Sequence, residues 1–218
     1  MDRLELVGSG RDADVYSLGV DRVLRRYREG GDATREAELM AFVAGHGYPV
    51  PTIFDVDGAD LVMERIDGPT MLGALGAGTL DIAQAARTLA QLQNRLHNLP
   101  GRTAALSGDR VIHLDFHPEN VMVGSRGPVV IDWRNATDGA ADLDVALSAV
   151  ILAQVAVDDG DGRAALARDM LARFLEQTEG DPIRLLDEAV ARRRANRTMT
   201  PAELDLLVPA EAVIRELA

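Results

Sequence analysis

The sequence predicts an α+β chain that opens as a small antiparallel β lobe with one main helix and continues as a mostly helical lobe. Two observations carry this. Up to Asp67, short runs of β-forming residues are divided by glycine turns; beyond it, apolar residues recur at helical spacing. The 218 residues suffice for one large domain or two small lobes. The expected division is a first lobe over residues 1–66 and a second over 67–218.

Taken in order, Arg3 to Gly8 alternates as a strand, Gly8-Ser9-Gly10 forms a turn, and Ala13 to Leu18 and Arg22 to Tyr27 are further strands. Gly30-Gly31-Asp32 breaks the pattern. Asp32 is the expected cap of a helix over Ala33 to Ala44, with Leu39, Met40, Phe42 and Val43 as its apolar side. Ile53 to Val56 and Leu61 to Ile66 read as strands around Asp57-Gly58. After Asp67-Gly68-Pro69 comes a long amphipathic helix, Asp81 to Leu99, with Ile82, Ala86, Leu89, Leu92 and Leu96 at helical spacing. A loop over His113 to Asn120 follows, in which Pro118 is expected to exclude helix. The apolar run Pro128 to Ile131 reads as a strand ending on Asp132. From Ala140 onward four helices are expected, separated at Asp158–Gly162, Gly180–Pro182 and Thr198–Pro201; Thr200-Pro201-Ala202-Glu203 is a strong helix start.

Composition narrows the function classes. Hydrophobic residues at 47% and charged residues at 27% are those of a globular protein. No apolar stretch is long enough for a bilayer, and the first residues lack a signal-peptide pattern. With no cysteine, thiolate chemistry and disulfides are excluded, and the expected location is cytoplasmic. A formal net charge of −12 argues against nucleic-acid binding and is compatible with a cationic small-molecule partner, although such charge also serves solubility. The sequence holds no lysine, so its fixed side-chain cations are all arginines.

The chemistry is concentrated in His113-Leu-Asp115-Phe-His117-Pro-Glu-Asn120 and in Asp132. Asp115, Asn120 and Asp132 are hard oxygen donors of the kind Mg²⁺ prefers. Phosphoryl transfer needs a carboxylate to orient the attacking hydroxyl, plus an Asn and an Asp to hold metal on the nucleotide phosphates. Taken singly, each could be a solvated turn residue.

With the remaining motifs in order upstream, the chain resembles the aminoglycoside phosphotransferase and choline kinase family, of protein-kinase-like fold, as a short member. The resemblance implies an ATP- and Mg²⁺-dependent phosphotransferase acting on a hydroxyl of a small molecule. By it, Asp115 is the catalytic base, and Asn120 and Asp132 are the metal ligands. Gly8, Ser9 and Gly10 become part of a phosphate-covering loop, which otherwise reads as an ordinary hairpin turn. Arg25 stands where the family has a phosphate-pairing lysine, and Glu36 is its helix partner; Arg26 takes that place if the strand register slips by one. Met63, the Glu64 carbonyl and the Ile66 amide are expected at the adenine pocket, in a hinge that otherwise reads as an edge strand.

By the same resemblance, His113 braces the loop, His117 with Pro118 shapes it, His97 packs at its helix end, and Asp144 ties the next helix to the catalytic loop. A zinc site at the histidines lacks further ligands. The departure from lysine at Arg25 leaves open a catalytically weak or inactive nucleotide-binding pseudokinase. A protein kinase is disfavoured, because Asp132-Trp133-Arg134 lacks the glycine of D-F-G.

Only His97 to Asp109 fill the interval where larger members carry a helical insert, so the acceptor is expected to meet the last helices. Asp138, Asp158, Asp159, Asp161 and Glu179 are candidate acidic contacts, though each reads first as a solvated loop carboxylate. An aminoglycoside-, amino-sugar- or amino-alcohol-like acceptor is expected, with no nucleic-acid or membrane partner; the oligomeric state is not legible.

Overall fold

The computed structural model describes residues 4–102 and 108–218. The chain divides into two compact units: Met1–Gly68 with Met122–Arg134, and Pro69–Val121 with Asn135–Ala218. The hairpin that carries Asp132 therefore groups with the N-terminal residues, and the loop that carries Asp115 with the helices.

The first unit is built on five antiparallel strands in the order β1 (Leu6–Ser9), β2 (Ala13–Ser17), β3 (Arg22–Tyr27), β5 (Asp60–Glu64), β4 (Ile53–Asp57). Arg3, where the first strand was expected to begin, lies outside the described residues. Strand alternation sends Val23 inward, and Leu24 and Arg25 are buried with it, while Arg26 is exposed. Gly58-Ala59 forms the β4–β5 turn, one residue on from the expected Asp57-Gly58, with Gly58 at φ 54°. Helix α1 (Thr34–Gly45) buries Leu39, Met40 and Val43, as its spacing requires, and also buries Glu36. The expected cap is corrected: Ala33 is the N-cap, without a side-chain bond, and the Asp32 carboxylate accepts from the Thr34 N–H at 2.8 Å. The hairpin β7 (Val121–Gly124) and β8 (Gly127–Val130) follows the His113–Asn120 loop.

The second unit is helical. Helix α2 (Met71–Gly76) is capped by Thr70, and α3 (Ile82–His97) by Asp81, whose carboxylate accepts from Gln84 N–H at 2.8 Å. The central element is α4 (Ala141–Ala156), apolar on all sides and buried from Leu143 to Gln154. Each fully buried Leu, Val or Ile there contributes about 1.5–3 kcal/mol of transfer free energy. Around it pack α5 (Ala164–Leu175), α6 (Leu186–Arg194) and α8 (Leu207–Leu217). Among the described residues, no helix is long and apolar enough to cross a membrane.

Two expectations fail in this unit. Five helices, not four, follow Ala140, because α7 (Pro201–Asp205) and α8 are separate. Pro209 lacks an N–H and its ring would crowd the carbonyl of Asp205, so the chain breaks at Leu206 and restarts with Pro209 in a first turn. Likewise, Pro118 does not exclude helix. It occupies the first position of a 3₁₀ turn, Pro118–Asn120, where a missing N–H is harmless. A short antiparallel pair, β6 (Arg110–Ile112) with β9 (Thr137–Gly139), also went unread, since three-residue strands carry no period.

Candidate active site

In the second unit, the His113–Asn120 loop is hung from one buried carboxylate. Asp144, fully buried in the first turn of α4, accepts from the His113 N–H at 3.1 Å and the Leu114 N–H at 2.6 Å, and its Oδ2 lies 2.9 Å from His97 Nε2. Burial works against this charge, yet the His97 bond and the backbone donors hold its pKa below the ordinary carboxylate value. Leu114 has φ 64°, a conformation uncommon for a residue with a Cβ, and its N–H is fixed by the shortest of these bonds. His97 and His113 are therefore braces, and His113 also packs edge-on against Phe116, ring centroids 5.5 Å apart.

Asp115 follows Leu114 directly. Its backbone carbonyl accepts from the Asn120 carboxamide at 2.9 Å, with Asp115 Oδ2 3.4 Å from the same nitrogen. That anchor fixes the amide orientation, and Asn120 Oδ1, an oxygen donor, accepts no hydrogen bond among the described residues. His117 caps the 3₁₀ turn through Nδ1, which accepts the Glu119 N–H at 3.3 Å, while Nε2 lies 3.6 Å from Asp115 Oδ1 and 3.3 Å from Asn120 Nδ2. Burial pushes the His117 pKa down, against the pull of Asp115.

In the first unit, Arg25 has the opposite problem, a buried cation. Its Nη1 donates to Glu36 Oε1 at 2.5 Å and its Nη2 to Asp132 Oδ1. Burial opposes the charge, but Asp132 and Glu36 hold the guanidinium above even the usual arginine range. Glu36 is further tied by the Tyr27 hydroxyl at Oε2 and by the Trp133 N–H at 3.0 Å from Oε1. Burial pushes the Tyr27 phenol up, so it remains a donor.

Trp133 is fully buried, its indole N–H on the Val130 carbonyl at 3.0 Å and its ring edge-on to Tyr48. This arrangement holds Asp132, two residues past β8, at φ 62°. Of the two arginines, Arg25 pairs inward with Glu36, while Arg26 makes an exposed fork to Asp60.

The Gly8-Ser9-Gly10 turn is held from beneath by Arg28. Its guanidinium donates to the Ser9 hydroxyl at 2.6 Å, the Gly10 carbonyl at 2.8 Å, the Arg11 carbonyl at 2.9 Å and Asp14 at 2.6 Å. Arg134, next after Trp133, lies over the Tyr27 ring and 3.3 Å from Asp12 in the same turn. Met63 pairs with Val23 and Ile53 inside the sheet. The Glu64 carboxylate takes the Thr52 N–H at 3.2 Å and the Arg126 guanidinium, and Ile66 lies just past β5.

Of the acidic acceptor candidates, Asp138 accepts the Arg102 N–H at 3.0 Å, and Asp158 and Asp161 make local bonds to the Gly160 N–H at 3.0 Å and the Arg163 N–H at 2.8 Å. Sequence reasoning missed Tyr27, Arg28 and Arg134. For Tyr27 a signal existed, since it lies two residues beyond Arg25 and so on the same strand face.

A family model described as the Phosphotransferase enzyme family matches residues 3–111 and 107–186. The chain belongs to that family. It is thus a phosphotransferase, and its α+β fold is kinase-like. No curated protein sequence matches this phosphotransferase. Solved structures that resemble it include ADP-bound aminoglycoside phosphotransferase APH(2'')-Ib, at 13% identity and TM-score 0.57, with 98% of this chain and 95% of that one covered. The streptomycin–ATP complex of APH(2'')-IIa gives 14% and 0.61, covering 98% and 94%. A choline/ethanolamine kinase family protein from Mesorhizobium loti gives 15% and 0.55, covering 99% and 93%. These identities speak for the fold alone.

Proposed function

We propose that this phosphotransferase moves the γ-phosphate of ATP to a hydroxyl of a small, cationic acceptor of the aminoglycoside, amino-sugar or amino-alcohol kind. The acceptor oxygen forms a bond to the γ-phosphorus, the bond to the β-γ bridging oxygen breaks, ADP leaves, and the hydroxyl proton passes to Asp115. The observation that carries this reading is the anchoring of Asn120 on the Asp115 carbonyl. It supports this reading because it leaves the amide oxygen available for a cation that would sit beside the carboxylate orienting the nucleophile.

The donor chemistry fits Mg²⁺. Asn120 offers Oδ1, and Asp132 offers Oδ2, which takes no hydrogen bond among the described residues while Oδ1 serves Arg25. When bound, the ion would neutralise charge on the β- and γ-phosphates. Among the described residues, no cluster of three His, Cys, Asp or Glu side chains offers a competing metal site. Arg25, steadied by Glu36, supplies a permanent cation for the phosphates, and the Gly8-Ser9-Gly10 turn covers them, with the Gly10 N–H itself donating to the Ala13 carbonyl at 2.9 Å. Met63, Glu64 and Ile66 border the adenine pocket in this reading. A cationic acceptor suits the net charge of −12, and streptomycin and gentamicin are bound by two of the similar structures.

The test is Mg²⁺-dependent ATP consumption against a panel of aminoglycosides, amino sugars, amino alcohols and nucleosides. At least one cationic alcohol is expected to stimulate ADP release, and Asp115→Ala to abolish it while nucleotide binding persists. Undiminished turnover in Asp115→Ala would sink the assignment.

A further inference from the structure

The catalytic loop contains a histidine whose second nitrogen has an assignable job. A backbone N–H can only donate, so the Glu119 N–H at 3.3 Å makes His117 Nδ1 a lone-pair acceptor. An imidazolium has no such lone pair, so the ring is neutral and its one proton sits on Nε2. A protonated Nε2 has no lone pair for the Asn120 amide 3.3 Å away, whose nitrogen donates to the Asp115 carbonyl at 2.9 Å. The acceptor in front of it is Asp115 Oδ1, at 3.6 Å. This is longer than a hydrogen bond, and bonds at catalytic groups commonly close up only when substrate is bound.

We propose that His117 is a positioning residue: its Nε2–H holds Oδ1 of the Asp115 carboxylate, leaving Oδ2 to take the proton of the acceptor hydroxyl. The step rests on Asp115 being the base. The capping bond locks the tautomer, the tautomer aims the donor, and the donor selects which carboxylate oxygen faces the nucleophile. The same ring thus serves the backbone at one nitrogen and the chemistry at the other. With the 3₁₀ turn starting at Pro118, the ring is fixed within the loop that carries Asp115 and Asn120.

Two substitutions separate the two nitrogens. His117→Asn keeps an oxygen acceptor at the capping position and removes the distal donor. His117→Gln places an amide nitrogen near the Nε2 position and weakens the cap. Turnover of Mg-ATP with water as acceptor, read as ADP release, is expected to fall tenfold or more in kcat for His117→Asn, with nucleotide affinity and Tm near wild type. His117→Gln is expected to retain kcat within about threefold, even with a lowered Tm. A purely structural histidine gives the reverse order, and that result overturns the proposal. Undiminished turnover in Asp115→Ala overturns both this role and the base assignment; His117→Asn at the wild-type rate beside an inactive Asp115→Ala overturns only the role of His117. Independently of turnover, ¹⁵N-detected histidine spectra are expected to show the Nε2–H tautomer, and an Nδ1–H ring or an imidazolium at neutral pH refutes it.

Discussion

Replacing Arg25 by methionine breaks the buried ion cluster at the cation that joins Glu36 and Asp132. Arg25 and Glu36 are 7% and 5% exposed, so the change strands a carboxylate with little water to take over. Breaking a buried pair by removing one partner costs about 3–5 kcal/mol. Glu36 retains two other donors, the Tyr27 hydroxyl and the Trp133 N–H, which places the expected loss near the lower figure, about 3 kcal/mol. At about 2–4 °C per kcal/mol for a chain of this size, Tm falls by roughly 6–12 °C.

The assay is built in, because Trp133 is the single tryptophan and its backbone N–H is bonded to Glu36. Urea unfolding followed by its fluorescence therefore reports on the unit that contains the cluster. Adding Glu36→Gln to Arg25→Met should recover more than about 1 kcal/mol, since the stranded charge is then gone. A loss below about 1 kcal/mol for Arg25→Met alone, or a double variant no better than the single, would show that Glu36 is not held as a buried anion by Arg25.

Other outcomes are as specific. Asp144→Asn should flatten the acid limb of the stability curve: a pKa held below the ordinary 3.8 means stability present above that value and lost as pH falls through the folded one, which urea midpoints between pH 5 and 2 will check. Gly68→Ala should destabilise by more than about 2 kcal/mol, because at φ 137° its Cβ would lie 2.2 Å from the Val123 carbonyl oxygen. Gly78→Ala, at φ 67° with nothing within 4 Å, should cost only about 1–2 kcal/mol by the same measurement. Arg28→Ala should raise the KM for ATP with little change in kcat, since it holds the Ser9–Gly10 turn and touches no reacting group in the proposed mechanism.

The legible parts of the fold are those whose period exceeds a few residues. The Arg22–Tyr27 strand and the Asp81-capped helix stand where alternation and spacing put them. Ends and short elements are set by single groups that have no period. Asp32 lost the cap position to Ala33 because its carboxylate reached the Thr34 N–H from one residue further out. Pro118 was read only as a helix breaker and Pro209 was passed over, and each sits in a first turn. In the candidate site, Asp115, Asn120, Arg25 and Glu36 were marked by residue type and order. Their fixing partners were not, because Tyr27 and Trp133 look like core residues until the polar edge of each is followed to Glu36.

The arginine fork at position 25 also determines which reagents can reach this pocket. A guanidinium stays charged and poorly nucleophilic at every pH the fold survives, and no lysine side chain exists elsewhere in the 218 residues to stand in for it. Nucleotide affinity labels that acylate or form imines with a phosphate-pairing amine therefore have no side-chain target here. Dicarbonyl reagents that condense with guanidinium groups have one, shielded by Glu36 and Asp132 and so slow to react until that pairing opens.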